Sequence, residues 1–196
     1  MTPPYEQPGP NIAFWLLILL FALGEYVMRF RARSYKRGSR QVERWSFFVV
    51  VASALVGVVG GFELARWNAT VVHAGRWPLF VLGLLFMAGG LVVRQWAILV
   101  LGRFFTVDVR VQPDQTVVER GPYRWVRHPS YTGLMFFFVG LGLALANWAS
   151  LILLAVLPTA GLLVRIRSEE RALTLALGDD YARYATTHRR LFPGIW

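Results

Sequence analysis

The chain has 196 residues, of which 56% are hydrophobic and 16% are charged, and its formal net charge is +10. Because ordinary soluble domains contain about 45–50% apolar residues, this composition excludes a typical soluble fold and indicates one membrane-embedded domain. The chain has no cysteine, which excludes disulfides, a thiolate nucleophile and a cysteine-ligated metal.

Five apolar segments follow one another along the chain, and each predicts a transmembrane helix. Crossing a bilayer takes roughly 20 mainly apolar residues, and the first three segments reach that length. The fourth and fifth are shorter and are separated only by Asn147, which predicts a tight antiparallel hairpin. The segments are residues 11–30, 45–65, 77–102, 131–146 and 148–164.

Two polar stretches flank or connect the first four segments. Residues 1–10 contain four prolines and predict an extended tail. The connection 103–130 is the longest polar stretch between helices. Within it, the apolar–polar alternation of FTVDVRVQ (105–112) predicts a short extended element.

The C-terminal stretch 165–196 predicts a helix, a break at Gly178 and a second helix beginning at Asp179 or Asp180. The two aspartates suit the positive end of that second helix. The fold class predicted for residues 1–196 is therefore a single all-α, polytopic membrane domain with a helical segment outside the membrane.

The basic residues are distributed unequally over the two sides of these helices. Of the 21 lysines and arginines, 18 lie between the first and second segments, between the third and fourth, or after the fifth. The positive-inside rule then predicts five crossings, an external N-terminus and a cytosolic C-terminus. The same charge attracts anionic lipid headgroups, so membrane lipids, rather than nucleic acid, are the expected partners.

The densest polar stretch, RGPYRWVRHPSYTGLM (120–135), stands directly before the fourth segment. Pro129 moves His128 out of the helical region and suits the start of a helix, whose free amide groups bind anions. From these residues alone, a helix boundary that faces headgroups and a ligand site are equally supported.

Glu169 follows Arg165 by four residues, so the two are neighbours on one face of a helix. They form either a surface ion pair or a binding site. In the second case the Glu169 carboxylate accepts hydrogen bonds from a vicinal diol such as a ribose, and Arg165 holds an anionic partner.

Ionisable residues also occur within or at the edge of the apolar segments, at Glu25, Glu63 and Arg94. Charged groups inside a membrane are costly unless they are paired or functional. We therefore expect Glu25 and Arg94 to pair inside the helix bundle, with structural pairing favoured over catalysis.

The polar clusters occur in the order GPYRWVRHPSY, RIRSEE, GDDYARY and RRLFPGIW, with an apolar hairpin after the first. This ordered set, from about residue 103 to the C-terminus, resembles the isoprenylcysteine carboxyl methyltransferase family. The resemblance implies an integral membrane enzyme that uses S-adenosyl-L-methionine and no metal. It also implies a lipid-tailed acceptor, such as a prenylated cysteine, whose carboxylate is methylated.

The resemblance further implies roles for individual residues, with the cofactor enclosed between the loop before the hairpin and the C-terminal helix. Arg165 would contact the methyl acceptor and is the expected catalytic residue. A histidine is usual in this family where the chain has Gln115, and Gln112 would match an upstream cofactor-binding glutamine of the family at a shorter spacing. The cofactor-binding residues implied are Gln112, Gln115, Thr116, Val117, Val118, Tyr123, His128, Pro129, Ser130, Tyr131 and Glu169.

Three other functions remain open from the sequence. A phospholipid N-methyltransferase shares the cofactor and the membrane, but its amine acceptor calls for a base or a polar cage rather than Arg165. An NADPH-dependent membrane reductase shares the C-terminal signature but is much longer. A non-catalytic lipid-binding protein is disfavoured because the chain has both His128 and Glu169.

Overall fold

The computed structural model describes residues 3–34, 40–112 and 114–194. Lys36 and Arg37, which contribute to the charge asymmetry, lie outside the described residues. Apart from short 3-10 turns, the regular secondary structure of this part of the chain is α-helices and a two-stranded antiparallel sheet. The helices are α1 (Pro10–Ser34), α2 (Trp45–Ala65), α3 (Arg76–Leu101), α4 (Pro129–Ala144), α5 (Trp148–Leu177) and α6 (Asp179–Thr187), and the strands are β1 (Arg40–Glu43) and β2 (Val109–Val111).

Four helices, α1, α2, α3 and α5, are long and apolar enough to cross a membrane, and α4 is a shorter apolar helix. Large apolar side chains cover their outer surfaces: Leu19, Leu55, Leu85 and Ile152 are each 60–64% exposed. Soluble monomers rarely expose apolar patches of such extent. The helices therefore present these faces to lipid, as expected of an integral membrane protein.

The helix boundaries lie close to those predicted, with one large difference. α2 coincides with the predicted segment 45–65. The predicted fifth segment and the helix predicted after residue 164 form one continuous helix, α5, which ends before Gly178 as predicted, and α6 begins at Asp179. The helix is continuous because the polar stretch after 164 contains no proline or glycine until Gly178, whose φ of 54° ends the helix.

The N-terminal residues fold against the bundle, so the expectation of an extended tail is wrong for the residues described. Pro4–Glu6 form a 3-10 turn, and Pro4 and Tyr5 are buried. The Tyr5 ring lies 5.6 Å from the ring of Phe14 on α1. Burial of this large aromatic surface holds the segment in place.

Helices α3 and α4 approach each other through glycines. A β-carbon on Gly83 or Gly90 of α3, or on Gly133 or Gly140 of α4, would lie 2.5–2.6 Å from backbone atoms of the opposite helix. Glycine permits such close contact between membrane helices. The contact fixes the first turn of α4, where His128 stands, relative to α3.

An ion pair connects α1 to α3 inside the bundle, which confirms the pairing predicted for Glu25 and Arg94. Arg94 contacts both Glu25 carboxylate oxygens, through Nε and through Nη2 at 2.9 Å. Its Nη1 donates to Ser130 Oγ at 2.8 Å, so the pair also reaches the first turn of α4. Glu63 instead pairs at 3.0 Å with the exposed Arg66.

The three-residue connection between α4 and α5 is fastened to the end of α2. The side chain of Asn147 is buried. Its Oδ1 accepts a hydrogen bond from the Ser150 amide at 3.1 Å, and its Nδ2 donates to the Leu64 carbonyl at 3.0 Å. The asparagine therefore caps α5 and joins it to α2.

Candidate active site

A cavity of about 910 Å³, including its mouth, lies between the polar loop that precedes α4 and the helices α5 and α6. We call it the loop cavity. Ten of the twelve predicted site residues line it: Gln115, Thr116, Val117, Val118, Tyr123, His128, Ser130, Tyr131, Arg165 and Glu169. The polar loop and the end of α5 are thus brought together around one space.

The other two predicted residues, Gln112 and Pro129, are not among the residues that line this cavity. Gln112 donates from its side chain to the Arg103 carbonyl at 2.5 Å, and its backbone amide donates to Gln115 Oε1 at 3.0 Å. Pro129 is the first residue of α4 and follows the N-cap residue His128. Both residues therefore affect the conformation of the loop without lining the cavity.

Three buried tyrosines, Tyr123, Tyr181 and Tyr184, line the loop cavity on the side of α6. Burial raises the pKa of all three hydroxyls, because removal from water disfavours the charged phenolate. The Tyr184 hydroxyl donates to the Tyr123 carbonyl at 2.7 Å. The buried Tyr181 hydroxyl has no hydrogen-bond partner within the described chain, so it can serve a ligand in the cavity.

The carboxylate of Glu169 faces the loop cavity from α5. Its Oε2 accepts a hydrogen bond from the Tyr131 hydroxyl at 2.6 Å. An ionised carboxylate has about four acceptor positions, so this single bond leaves capacity for a ligand that carries hydroxyl groups.

Arg165 is 4% exposed, and three partners hold its guanidinium. Nε donates to the Tyr131 hydroxyl at 3.3 Å, Nη1 to Ser46 Oγ at 3.1 Å and Nη2 to the Val107 carbonyl at 2.9 Å. A guanidinium has five N–H donors; these three bonds use three of them, which leaves two. The orientation of Arg165 is fixed while part of its fork remains available for an anion.

Glu170, the neighbour of Glu169, does not line the loop cavity and forms ion pairs instead. It forms ion pairs with Arg127 at 3.0 Å and Arg190 at 2.9 Å, and its Oε1 lies 3.3 Å from His128 Nε2. Glu170 thereby joins α5, the loop before α4 and the C-terminal segment.

The C-terminal segment lies against the loop before α4. The amides of Arg127 and His128 donate to the carbonyls of Arg189 and Arg190 at 2.8 and 2.9 Å, and Thr132 Oγ1 donates to the Leu191 carbonyl at 2.7 Å. These bonds hold the loop in place behind the cavity wall.

A second cavity, of about 1380 Å³ including its mouth, lies between α1, α2, α4 and α5. We call it the bundle cavity. Its wall is mostly apolar, with Phe21 and Phe138 among its residues, and the Glu25–Arg94 ion pair also lines it. In the described chain α1 packs chiefly on α3 and α2 packs on α5. The cavity wall between α1 and α2 includes Tyr26 and Leu55, 69% and 60% exposed, so this side is open towards lipid.

The two cavities meet at Arg165 and Tyr131, which line both, together with Phe105 and Thr106. The guanidinium thus stands where the two cavities join, and the loop cavity is the more polar of the two. The geometry suits a reaction between a polar ligand in the loop cavity and the polar end of a lipid in the bundle cavity.

The sequence did not single out every residue of this region. Asp108 and Arg110 line the loop cavity and pair at 3.3 Å; their i, i+2 spacing in an alternating stretch indicates one strand face and was the available signal. Ser46 gave no such signal, because its contact with Arg165 arises only when α2 packs on α5. No group of three or more histidine, aspartate or glutamate side chains arranged to hold a metal occurs within the described ranges.

Comparisons with a family model, with related proteins and with a solved structure all find isoprenylcysteine methyltransferases. Residues 81–175, which include His128, Arg165 and Glu169, match the isoprenylcysteine carboxyl methyltransferase (ICMT) family. The chain is 29% identical over 177 residues to protein-S-isoprenylcysteine O-methyltransferase B of Arabidopsis thaliana, covering 87% of this chain and 86% of that protein. It is 32% identical over 130 residues to the corresponding Xenopus laevis methyltransferase, covering 62% of this chain and 45% of that protein.

The fold is also that of a solved structure, the eukaryotic intramembrane Ras methyltransferase ICMT without a monobody. The TM-score is 0.70 at 24% sequence identity, covering 97% of this chain and 70% of the other. At this identity the likeness shows the fold alone, a helical membrane fold. Taken together, the comparisons show that residues 81–175 are similar to the isoprenylcysteine carboxyl methyltransferase family and that the chain shares its fold with a solved ICMT.

Proposed function

We propose that the chain transfers a methyl group from S-adenosyl-L-methionine to the carboxylate of a lipid-tailed acceptor of the isoprenylcysteine type. The observation that carries this proposal is the junction of the two cavities at Arg165. A guanidinium with two available donors is suited to bidentate binding of a carboxylate. The mostly apolar wall on one side suits the tail of the acceptor, and the more polar wall on the other suits a nucleoside.

The loop cavity fits the cofactor in three respects. The unpartnered hydroxyl of Tyr181 and the open positions on Glu169 suit the polar groups of a nucleoside, including the ribose diol. The rings of Tyr123, Tyr181 and Tyr184 offer stacking surfaces for adenine. Gln115, Thr116, Val117, Val118, His128, Ser130 and Tyr131 complete the proposed cofactor site; Gln112 and Pro129 would contribute by supporting them.

The bound cofactor supplies a methyl group on a positively charged sulfur. The acceptor carboxylate is ionised at neutral pH, so no residue of the chain has to act as a strong base. The task of Arg165 is to hold that carboxylate in line with the loop cavity, and such positioning accounts for much of the rate of a two-substrate reaction. Burial of Arg165 removes water around the carboxylate.

The bundle cavity suits the tail. From Tyr131 to Phe138 its wall follows α4 over roughly 10 Å, at about 1.5 Å per helical residue. Because lipid hydrocarbon is as apolar as such a wall, the wall serves to position the tail and contributes little hydrophobic free energy. The opening between α1 and α2 gives a tail access from the bilayer.

The proposed topology has α1 to α5 crossing the membrane, with the N-terminus outside. The loop 103–130 and residues 165–196 then form the catalytic region on the cytosolic side, within a single domain of residues 1–196. The support is the excess of basic residues on that side.

The test is methyl transfer by the detergent-purified protein, using cofactor labelled in its methyl group and S-farnesylcysteine with a blocked amine as acceptor. We expect label in a product from which alkali releases methanol, as for a methyl ester. Phosphatidylethanolamine is offered in parallel. Label in an alkali-stable amine product would support the N-methyltransferase instead, and NADPH oxidation without methyl transfer would support a reductase.

A further inference from the structure

Ser46 is the second residue of α2 and is fully buried. Its hydroxyl oxygen accepts a hydrogen bond from Arg165 Nη1 at 3.1 Å, and its backbone amide donates to Glu43 Oε1 at 2.5 Å. Neither Ser46 nor Glu43 lines the loop cavity or the bundle cavity. The contact that connects Ser46 to the two cavities is therefore its hydrogen bond with Arg165.

Glu43 is itself fixed in place. It belongs to β1 and is paired with Val109 of β2, a residue that lines the loop cavity. The connection between α1 and α2 is thus attached through Glu43 to β2, in the loop before α4, and α2 is attached through Ser46 to Arg165.

Glu43 carries a negative charge near the guanidinium. Burial alone would raise the pKa of its carboxyl, but hydrogen bonds from Ser46 and Ser168 and the positive charge of Arg165 outweigh burial and lower it. A charged carboxylate close to Arg165 is a potential competitor for its free N–H groups. Oε1 of Glu43 is instead bound by the Ser46 amide.

We propose that Ser46 and Glu43 are positioning residues for the acceptor carboxylate. Ser46 holds one arm of the Arg165 fork through its hydroxyl, and the Ser46 amide keeps the Glu43 carboxylate directed away from the two N–H groups that the acceptor needs. This inference rests on the proposed function, because it takes Arg165 as the group that binds the acceptor.

The first test is Ser46→Ala. We expect the KM for the lipid carboxylate to rise about tenfold, equivalent to about 1.4 kcal/mol, with kcat reduced less than KM is raised. The Kd of S-adenosylhomocysteine, measured by calorimetry, should stay within about twofold of wild type because Ser46 lies outside the cofactor cavity. The matched control is Ser53→Ala, on the same helix, whose hydroxyl donates to the Val50 carbonyl at 3.0 Å.

The second test separates positioning from a general loss of structure. Glu43→Gln keeps an oxygen for the Ser46 amide and removes the competing charge, so the acceptor KM should be equal to or lower than that of wild type. Glu43→Ala removes the anchor of Ser46, so the acceptor KM should rise. Equal effects of the two substitutions would overturn the proposal.

The remaining outcomes are also decisive. If wild type methylates the lipid carboxylate but Ser46→Ala has an unchanged KM, the positioning role is wrong and the proposed function stands. An equal loss of acceptor and S-adenosylhomocysteine affinity, together with a lower Tm, would show that Ser46 is only structural. If wild type methylates no lipid carboxylate, both the proposed function and this inference fail.

Discussion

The hydroxyl of Tyr131 donates to Glu169 at 2.6 Å, and the same oxygen accepts a hydrogen bond from Arg165 Nε at 3.3 Å. One side chain thus touches both the carboxylate proposed to bind the cofactor and the arginine proposed to bind the acceptor. Its place at the junction of the two cavities makes it a physical link between the two binding sites.

Tyr131→Phe is therefore expected to weaken both sites. A hydrogen bond to a charged group contributes about 1.5–3 kcal/mol, so we expect at least a tenfold loss in kcat/KM for the acceptor and a several-fold rise in the Kd of S-adenosylhomocysteine. Steady-state kinetics measure kcat/KM for the acceptor, and calorimetry measures the Kd of S-adenosylhomocysteine. If only one of them changed, Tyr131 would serve one site and not both.

Arg165→Gln is expected to affect the acceptor far more than the cofactor. Loss of the guanidinium fork should reduce kcat/KM for the lipid carboxylate at least about a hundredfold, in line with the loss of a bidentate charged contact, and leave the Kd of S-adenosylhomocysteine within about threefold. Arg167→Gln, an exposed position two residues along the same helix, is the control. A large loss of cofactor affinity in Arg165→Gln would move this residue into the cofactor site.

Glu169→Ala and Glu170→Ala should differ although the residues are adjacent. Glu169→Ala should raise the Kd of S-adenosylhomocysteine at least about tenfold, because hydrogen bonds to a charged group are lost, with little change in Tm. Glu170→Ala leaves Arg127 and Arg190 without their carboxylate and should destabilise the fold by about 3 kcal/mol, which a lower Tm in the absence of ligand would reveal. Similar profiles for the two variants would contradict this division.

Much of this site was predictable because its residues are close in sequence. His128, Ser130 and Tyr131 form one stretch at the start of α4, and Arg165 and Glu169 are one helical turn apart. Local spacing therefore predicted which face each residue shares, and the resemblance to a family predicted that the two stretches meet.

The other features of the site and fold depend on contacts that a local sequence pattern does not predict. Ser46 and Arg165 are 119 positions apart, and their contact follows from the packing of α2 on α5. β1 was not predicted because its sequence, RQVE, has too few apolar residues to show alternation. The proline-rich start predicts a tail because composition does not reveal that Tyr5 packs against Phe14.

Glu25 and Arg94 provide a prediction about stability in the membrane. Glu25→Gln leaves the buried Arg94 charge without its carboxylate and should destabilise the protein by about 3 kcal/mol, measured as a fall in Tm in detergent. Replacing both residues, as Glu25→Leu with Arg94→Met, should recover most of that loss, because apolar residues of similar volume often replace a buried ion pair without cost. If the double variant were no better than the single one, the contact of Arg94 with Ser130 would be the more important of its bonds.

The opening of the bundle cavity between α1 and α2 determines which concentration governs the proposed reaction. A tail that reaches Arg165 from the bilayer diffuses in two dimensions and never passes through water. The rate then depends on the mole fraction of acceptor among the surrounding lipids and not on its amount per volume of buffer. Diluting the acceptor with inert phospholipid slows the reaction, whereas diluting the whole suspension with buffer leaves the turnover of each enzyme molecule unchanged while the cofactor is saturating.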